Sequence, residues 1–154
     1  MNNRKVNIVL GLVATVAAIV SILVLFATAF GTSDSAGHAS TLGSGFQVMF
    51  GQSGFDAVPL LIVAFVLQCI GAFFALVGAI LPGKLGAIGL GVTAICLVAA
   101  GIMWFLSPSL FSGINKLSAE AESVVIGTGA ILGATFSLLA AVISLYGAYR
   151  SFKA

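Results

Sequence analysis

The sequence predicts an all-α integral membrane protein, a four-helix transmembrane bundle with both termini on the cytoplasmic side and a tight hairpin between its second and third helices. The first observation is composition: 60% of the 154 residues are hydrophobic and only 6% are charged. A soluble domain has about 25% charged residues, and a domain of this size would leave much of its apolar surface in water. The other observations are four long apolar runs and an uneven distribution of charge between them.

Four apolar runs that contain no charged residue are each long enough to cross a bilayer. A helix needs about 20 apolar residues to span the hydrocarbon core, and its backbone polar groups must be paired within lipid. The runs lack the two-residue alternation of barrel strands, so each is predicted to be a continuous helix. The predicted spans are Val6–Phe30, Ala57–Leu81, Leu85–Leu106 and Val124–Ala148, within a single transmembrane domain of residues 1–154 with outer loops 31–56 and 107–123.

The charged residues predict the orientation of these spans. An excess of Lys and Arg marks the cytoplasmic face, so both termini are predicted to be cytoplasmic in a multi-pass protein of the cell membrane. Trp104, at the outer end of the third span, lies at a depth where aromatic rings are enriched. The inner side has Arg4, Lys5, Lys84, Arg150 and Lys153, and the outer side has Asp34, Asp56, Glu120 and Glu122, with Lys116 as its only basic residue.

The first span has one competing interpretation, a cleaved signal peptide. Arg4 and Lys5 would form its basic region, and Ala27–Thr28–Ala29 resembles an A-x-A cleavage site. The core of a signal peptide has about 7–15 residues, and the apolar run Val6–Phe30 is longer. We therefore expect the first span to be retained as a transmembrane helix.

A short connection and two cysteines bear on the middle of the chain. Pro82–Gly83–Lys84 is the only link between spans two and three, so these spans are predicted to be antiparallel neighbours. Cys69 and Cys96 both lie inside apolar runs, outside any Cys-x-x-Cys motif. They are predicted to be buried hydrophobic residues with no disulfide and no zinc site.

Small residues recur at spacings of three and four along the spans, a pattern that suits helix packing in lipid. The stripe of span one passes through Gly11, Ala14, Ala18, Ser21 and Thr28, and the stripe of span three passes through Ala87, Gly91, Ala94 and Gly101. Such stripes can face other helices of the same chain, a second copy or another membrane protein, and the pattern leaves these alternatives open. The residues predicted to pack helices are Gln68, Gly71, Ala75 and Gly78 in span two and Gly129, Gly133 and Ser137 in span four.

Gln68 is the only strongly polar side chain away from the ends of the predicted spans, and its amide must find a hydrogen-bond partner. It is interpreted mainly as a cross-helix contact, with the lining of a pore as the alternative.

The two outer loops are rich in aromatic and apolar residues. The segment Phe46–Phe50 fits a strand or a helical face equally well, whereas Leu110, Phe111, Ile114 and Leu117 fit one face of a short interfacial helix. These side chains either bury against the top of the bundle or form a patch that docks a partner. The candidates for such docking are Phe46, Met49, Phe50, Phe55 and Phe111.

The sequence lacks the residues on which several functional classes of protein depend. No Asp, Glu, Lys, Arg or His lies within a span and no span is interrupted by proline, which disfavours an ion-coupled transporter. His38 is the only histidine, and no nucleophile–base pair, metal-ligand cluster or phosphate-binding GxxxxGK[ST] motif is present. No basic patch indicates nucleic acid. The sequence therefore predicts a protein that is not an enzyme and has no cofactor, no metal and no nucleic-acid partner.

The plan of a longer first outer loop, a tight inner turn and a shorter second outer loop resembles that of claudin-like tetraspan proteins. The resemblance is in topology only, because the first outer loop here has no Cys and no Trp. It implies no function or site residue for this chain.

The function expected from these patterns is that of a small non-enzymatic multi-pass membrane protein. It would act through helix–helix association, as a structural or accessory subunit of a membrane complex or as a homo-oligomer. Its partners would be the lipid bilayer and either its own copies or another membrane protein. The alternative is an oligomeric pore or channel, or a small transporter component, in which Gln68 lines the path.

Overall fold

Four long apolar helices form the body of the protein. A computed structural model of the chain describes residues 3–33, 39–51, 54–115 and 123–153. Each of the four helices is long and apolar enough to cross a membrane, which confirms that part of the prediction. They are α1 (Asn3–Leu23, followed by a 3-10 turn at Val24–Phe26), α3 (Pro59–Ile80), α4 (Gly83–Phe105) and α6 (Thr128–Lys153).

The long helices form a four-membered ring, in which α1 and α4 each pack against α3 and α6 and lie diagonally across from one another. Close approach is possible because small residues lie at the crossings. At Gly11, an added Cβ would lie 2.6 Å from the Cβ of Ala79. All seven residues predicted to pack helices are buried within the chain, namely Gln68, Gly71, Ala75, Gly78, Gly129, Gly133 and Ser137.

The prediction of an all-α protein is wrong at one end of the bundle, where three strands form a small antiparallel sheet. The strands are β1 (Thr28–Ser33), β2 (Ala39–Ser44) and β3 (Ser123–Ile126), in the order β2-β1-β3. Phe30 pairs with Ile126 across β1 and β3, and the β1–β2 register is irregular around Phe30. The sheet covers one end of the hydrophobic core. Phe30 of β1 and Leu25 of the 3-10 turn both contribute fully buried side chains to that core.

The sheet also corrects the ends of two predicted spans. Span one was expected to run to Phe30, but α1 with its 3-10 turn ends at Phe26 and β1 begins at Thr28. Span four was expected to begin at Val124, but that residue belongs to β3 and α6 begins at Thr128. Both segments are apolar because their side chains pack onto the hydrophobic core. A prediction from hydropathy therefore continues the two helices into residues that form strands.

Two short helices complete this end of the molecule. Helix α2 (Gly45–Phe50) settles the ambiguous segment as helical, because Ser44 and Gln47 form a capping box at its start and Gly51 ends it with φ 73°. Helix α5 (Ser107–Ile114) occupies the place predicted for a short helix in the second outer loop, with Pro108 in its first turn. The predicted contribution of Leu117 to that helix lies outside the described residues.

The opposite end of the bundle is held by a polar contact between the first and last helices. The side-chain amide of Asn7 donates to the hydroxyl of Ser151 at 2.9 Å, across 144 residues of sequence. The turn between α3 and α4 lies at this same end, since the four helices alternate in direction. Lys5, Lys84, Arg150 and Lys153 are therefore all at the end of the molecule that is farthest from the sheet.

Candidate functional site

A hydrogen-bonded junction of four side chains lies inside the bundle, and Gln68 is at its centre. The Gln68 amide nitrogen donates to Ser137 Oγ at 2.8 Å and to Ser21 Oγ at 3.2 Å. The Gln68 amide oxygen accepts from the indole N–H of Trp104 at 3.1 Å. All four side chains are 0% exposed, so the hydrogen bonds form without competition from solvent.

Each member of the polar junction comes from a different long helix. Ser21 belongs to α1, Gln68 to α3, Trp104 to α4 and Ser137 to α6. Both amide protons of Gln68 and its oxygen are used, and Ser21 also donates to the carbonyl of Ala18 at 2.7 Å. One amide side chain therefore links the whole bundle, as expected where a buried polar group has no water available.

Small neighbours make room for the polar junction. An added Cβ at Gly133 would lie 3.3 Å from the Ser21 carbonyl oxygen, so α1 and α6 are close beside Ser137. A second polar contact binds α4 to α3, because the Thr93 hydroxyl is within hydrogen-bond distance of the carbonyls of Gly71 (3.1 Å) and Gly89 (3.0 Å). The small-residue stripes thus place the polar groups within reach of each other.

The chemistry of the junction is that of neutral hydrogen bonding. An amide, an indole and two hydroxyls offer no group that ionises near neutral pH and no base that would activate a serine. Among the described residues, Asn7 Oδ1 and Ser144 Oγ are the buried side-chain polar atoms without a hydrogen-bond partner. In the same part of the chain, no group of three or more His, Cys, Asp or Glu residues is placed to hold a metal ion.

The sequence indicated Gln68 and Ser137 but not the other members of the junction. Trp104 was expected at the membrane interface, yet its side chain is fully buried and points its N–H at Gln68. Ser21 belongs to the small-residue pattern of span one, and nothing in that pattern distinguishes it from the neighbouring alanines. One rule could have indicated the contact between Trp104 and Gln68. A buried indole N–H needs an acceptor, and Gln68 is the strongest side-chain acceptor within a span.

The aromatic candidates for partner docking mostly pack within the chain. Met49 and Phe111 are 0% exposed, and the Phe111 ring contacts those of Phe30 and Phe55. Phe46 stacks on Phe26 with ring centroids 4.3 Å apart. Among the five candidates, Phe50 is the one that stays exposed, at 52%. The set therefore holds the sheet and the short helices onto the bundle.

The other polar candidates give no further site. Cys69 and Cys96 are free thiols. The prediction that they are buried is wrong, because Cys69 is exposed and Cys96 is half-buried on the outside of apolar helices. Asp56, at the sheet end, is tied through its backbone N–H and C=O to the side-chain amide of Asn115. His38, the only histidine, lies outside the described residues, as do Asp34, Lys116, Glu120 and Glu122.

A shallow groove runs along the outside of the bundle between α4 and α6. Its walls are entirely apolar and include Ala94, Ile95, Val98, Ala141, Val142 and Leu145. Gly91 lies one turn from Ile95 on the same face of α4, and a Cβ added there would meet nothing within 4 Å. Gly101, on another face of α4, would instead meet Leu138 at 2.9 Å. We name the apolar lining together with Gly91 the α4–α6 groove.

Comparison with known proteins assigns no family, since no protein-family model matches the chain and neither does any curated protein. What the chain does is therefore inferred from the polar junction, the α4–α6 groove and the distribution of charge.

Proposed function

We propose that this chain is a non-enzymatic membrane protein that works through helix–helix association, as a structural or accessory subunit of a membrane complex or as a homo-oligomer. The observation that carries the proposal is the α4–α6 groove, where a helix-interior glycine faces away from the rest of the chain. Helices in lipid associate by close packing of small residues, because the hydrophobic effect provides little drive between them. The groove offers such a surface to a transmembrane helix from outside.

The contrast between glycines supports this role for the groove. A glycine inside a helix is less favourable than alanine by about 1 kcal/mol. Glycine is required at Gly71 and Gly78 by packing within the chain, because Leu97 and Leu90 lie closer than 3 Å to the position of an added Cβ and would clash with a larger residue. Gly91 has no such neighbour. Close packing of a helix from another chain against Gly91 would explain why glycine is present at this position.

The polar junction favours association over transport. The hydrogen bonds of Gln68 are made to side chains of its own chain, and the residue is fully buried. A pore built between copies would need polar groups on an outward face, whereas the α4–α6 groove is apolar. The pore alternative therefore draws no support from Gln68.

Filling the α4–α6 groove is expected to reduce association. In Gly91→Leu, the new side chain projects outward where a Cβ meets nothing, so the bundle folds while the groove is blocked. We expect crosslinking in native membranes to give at least several-fold less of the associated species than the unchanged chain gives. The matched control is Cys69→Leu, an enlargement at an exposed position on α3, which should leave crosslinking unchanged. A chain that is strictly monomeric, or equal crosslinking by Gly91→Leu, contradicts the proposal.

The proposed orientation places both termini in the cytoplasm and the sheet outside the cell membrane. Five basic residues lie on the side of the termini, as the positive-inside rule expects. In a background of Cys69→Ser and Cys96→Ser, single cysteines at Ser40 and Lys153 test this orientation, since both side chains are exposed. A membrane-impermeant maleimide should label Ser40→Cys in intact cells and Lys153→Cys only after permeabilisation. The reverse pattern would overturn the orientation.

A further inference from the structure

Helix α5 has the form of a lid over the sheet end of the bundle. Leu106 alone separates it from the end of α4, so the two helices meet at a single residue that can serve as a hinge. Phe111 on the underside of α5 is 0% exposed, whereas Ser109 and Ser112 on its upper side are exposed. One face of this short helix therefore packs on the protein and the other faces outward.

The underside of α5 covers the core around the polar junction. Phe111 belongs to the same buried hydrophobic cluster as Trp104, and the centroid of its ring lies 5.6 Å from that of Phe30. At the hinge, the hydroxyl of Ser107 donates to the carbonyl of Trp104, and both residues are 0% exposed. Displacement of α5 would therefore uncover the part of the core that holds the Trp104 indole.

The other end of α5 is fastened by Asn115, which is only 6% exposed. Its side-chain oxygen accepts from the backbone N–H of Asp56 at 2.6 Å, and its side-chain nitrogen donates to the Asp56 carbonyl at 3.1 Å. The backbone N–H of Asn115 donates to the Phe111 carbonyl at 2.9 Å, so this asparagine is joined to α5 itself. We name the pair of hydrogen bonds to Asp56, which joins segments 59 residues apart, the Asn115–Asp56 latch.

We propose that α5 is a hinged lid, held closed by the Asn115–Asp56 latch, and that its opening admits water to the polar junction. Gln68 links all four long helices through side chains that are fully buried, and such hydrogen bonds weaken when water competes for their donors and acceptors. A contact that releases the latch at the sheet end would thereby loosen the helix packing within the bundle. This device goes beyond helix–helix association and is independent of the α4–α6 groove.

The test uses Asn115→Ala in the full chain, purified into phosphatidylcholine nanodiscs. Trp104 is the only tryptophan, so its fluorescence reports on the polar junction directly. We expect its emission to move to longer wavelength and its quenching by acrylamide to increase. Hydrogen–deuterium exchange in α5 should become about tenfold faster, which corresponds to about 1.4 kcal/mol and to the loss of two hydrogen bonds. Asn115→Asp keeps the acceptor for the Asp56 N–H, so smaller changes in the same direction are expected, and this variant carries the test if Asn115→Ala does not fold.

The matched control is Asn7→Ala, which removes another asparagine contact, the hydrogen bond to Ser151 at the opposite end of the bundle. It should leave the emission of Trp104 and the exchange in α5 unchanged, because the lid lies at the sheet end. Equal changes in Asn7→Ala would show a general loosening of the bundle and overturn the lid. Unchanged exchange in α5, or faster exchange with unchanged Trp104 fluorescence, would likewise overturn the proposal. None of these measurements depends on association between chains, so failure of the proposed function would leave the test of the lid intact.

Discussion

Gln68→Leu is expected to lower the free energy of unfolding by about 2 kcal/mol, although leucine is the more apolar residue and the site is fully buried. The substitution removes three cross-helix hydrogen bonds, and such bonds contribute about 0.6 kcal/mol each in membrane proteins. It also leaves the Trp104 indole N–H buried without an acceptor, which costs about 1–3 kcal/mol. The better burial of leucine offsets part of this sum.

Unfolding of the purified protein in mixed micelles, titrated with a denaturing detergent, would measure the effect of Gln68→Leu. Trp104→Phe removes one of the three hydrogen bonds and keeps an aromatic ring in the core, so we expect a smaller loss of hydrogen-bond energy, with an added cost for the space that the smaller ring leaves. The double variant should lose less than the sum of the two single losses, because both remove the same hydrogen bond. A matched control is Gln47→Leu, at the exposed capping box of α2, where the loss should stay below about 1 kcal/mol. Unchanged or increased stability in Gln68→Leu would contradict the assigned role of the junction.

The number of long helices follows from the sequence, but the ends of two of them do not. Hydropathy measures how apolar a segment is, and it cannot distinguish burial in lipid from burial under a protein cap. Phe30 and Ile126 are apolar because their side chains pack from the sheet onto the hydrophobic core. Their pairing joins positions that are 96 residues apart in sequence, and no local periodicity records such a contact. The sheet was therefore missed, while the turn at Pro82–Gly83 followed from its shortness.

The candidate site was predictable to a similar degree. Gln68 attracts attention because an amide in a lipid-spanning helix needs a partner, and the spacing of small residues places it on an inward stripe. Its partners depend on how α1, α4 and α6 are rotated and shifted against α3. That information is carried by many weak contacts along each helix, so Trp104 could not be matched to Gln68 from sequence.

Small-residue stripes show the same limit on the outside of the bundle. The pattern in span three treats Gly91 and Gly101 as members of one stripe. In the structure their environments differ, since Gly101 packs on Leu138 whereas no atom lies within 4 Å of a Cβ added at Gly91. A repeat of three and four residues drifts around the helix, so one stripe can include both a glycine packed within the chain and a glycine that faces outward. The packed structure distinguishes the two.

This distinction gives the other prediction with a large effect, a comparison of the same substitution at two glycines. Gly11→Ala is expected to destabilise the bundle by about 2 kcal/mol. The new Cβ would lie 2.6 Å from the Ala79 Cβ and 2.7 Å from its Cα, and the backbone of α3 cannot turn aside as a flexible side chain can. Overpacking of this kind costs about 1–3 kcal/mol, because α1 and α3 must move apart and their neighbouring contacts are weakened.

Gly91→Ala is the control, and the opposite sign is expected for it. No atom lies within 4 Å of its added Cβ, so the helix gains the preference of alanine over glycine, up to about 1 kcal/mol. Both variants add one methyl group to a glycine inside a long helix, and their difference isolates the close approach of α1 and α3. Unfolding of the isolated monomer in micelles measures that difference without any contribution from association at the α4–α6 groove. Equal stability of the two variants would mean that α1 and α3 are farther apart than described, because a methyl group at Gly11 would then fit without cost.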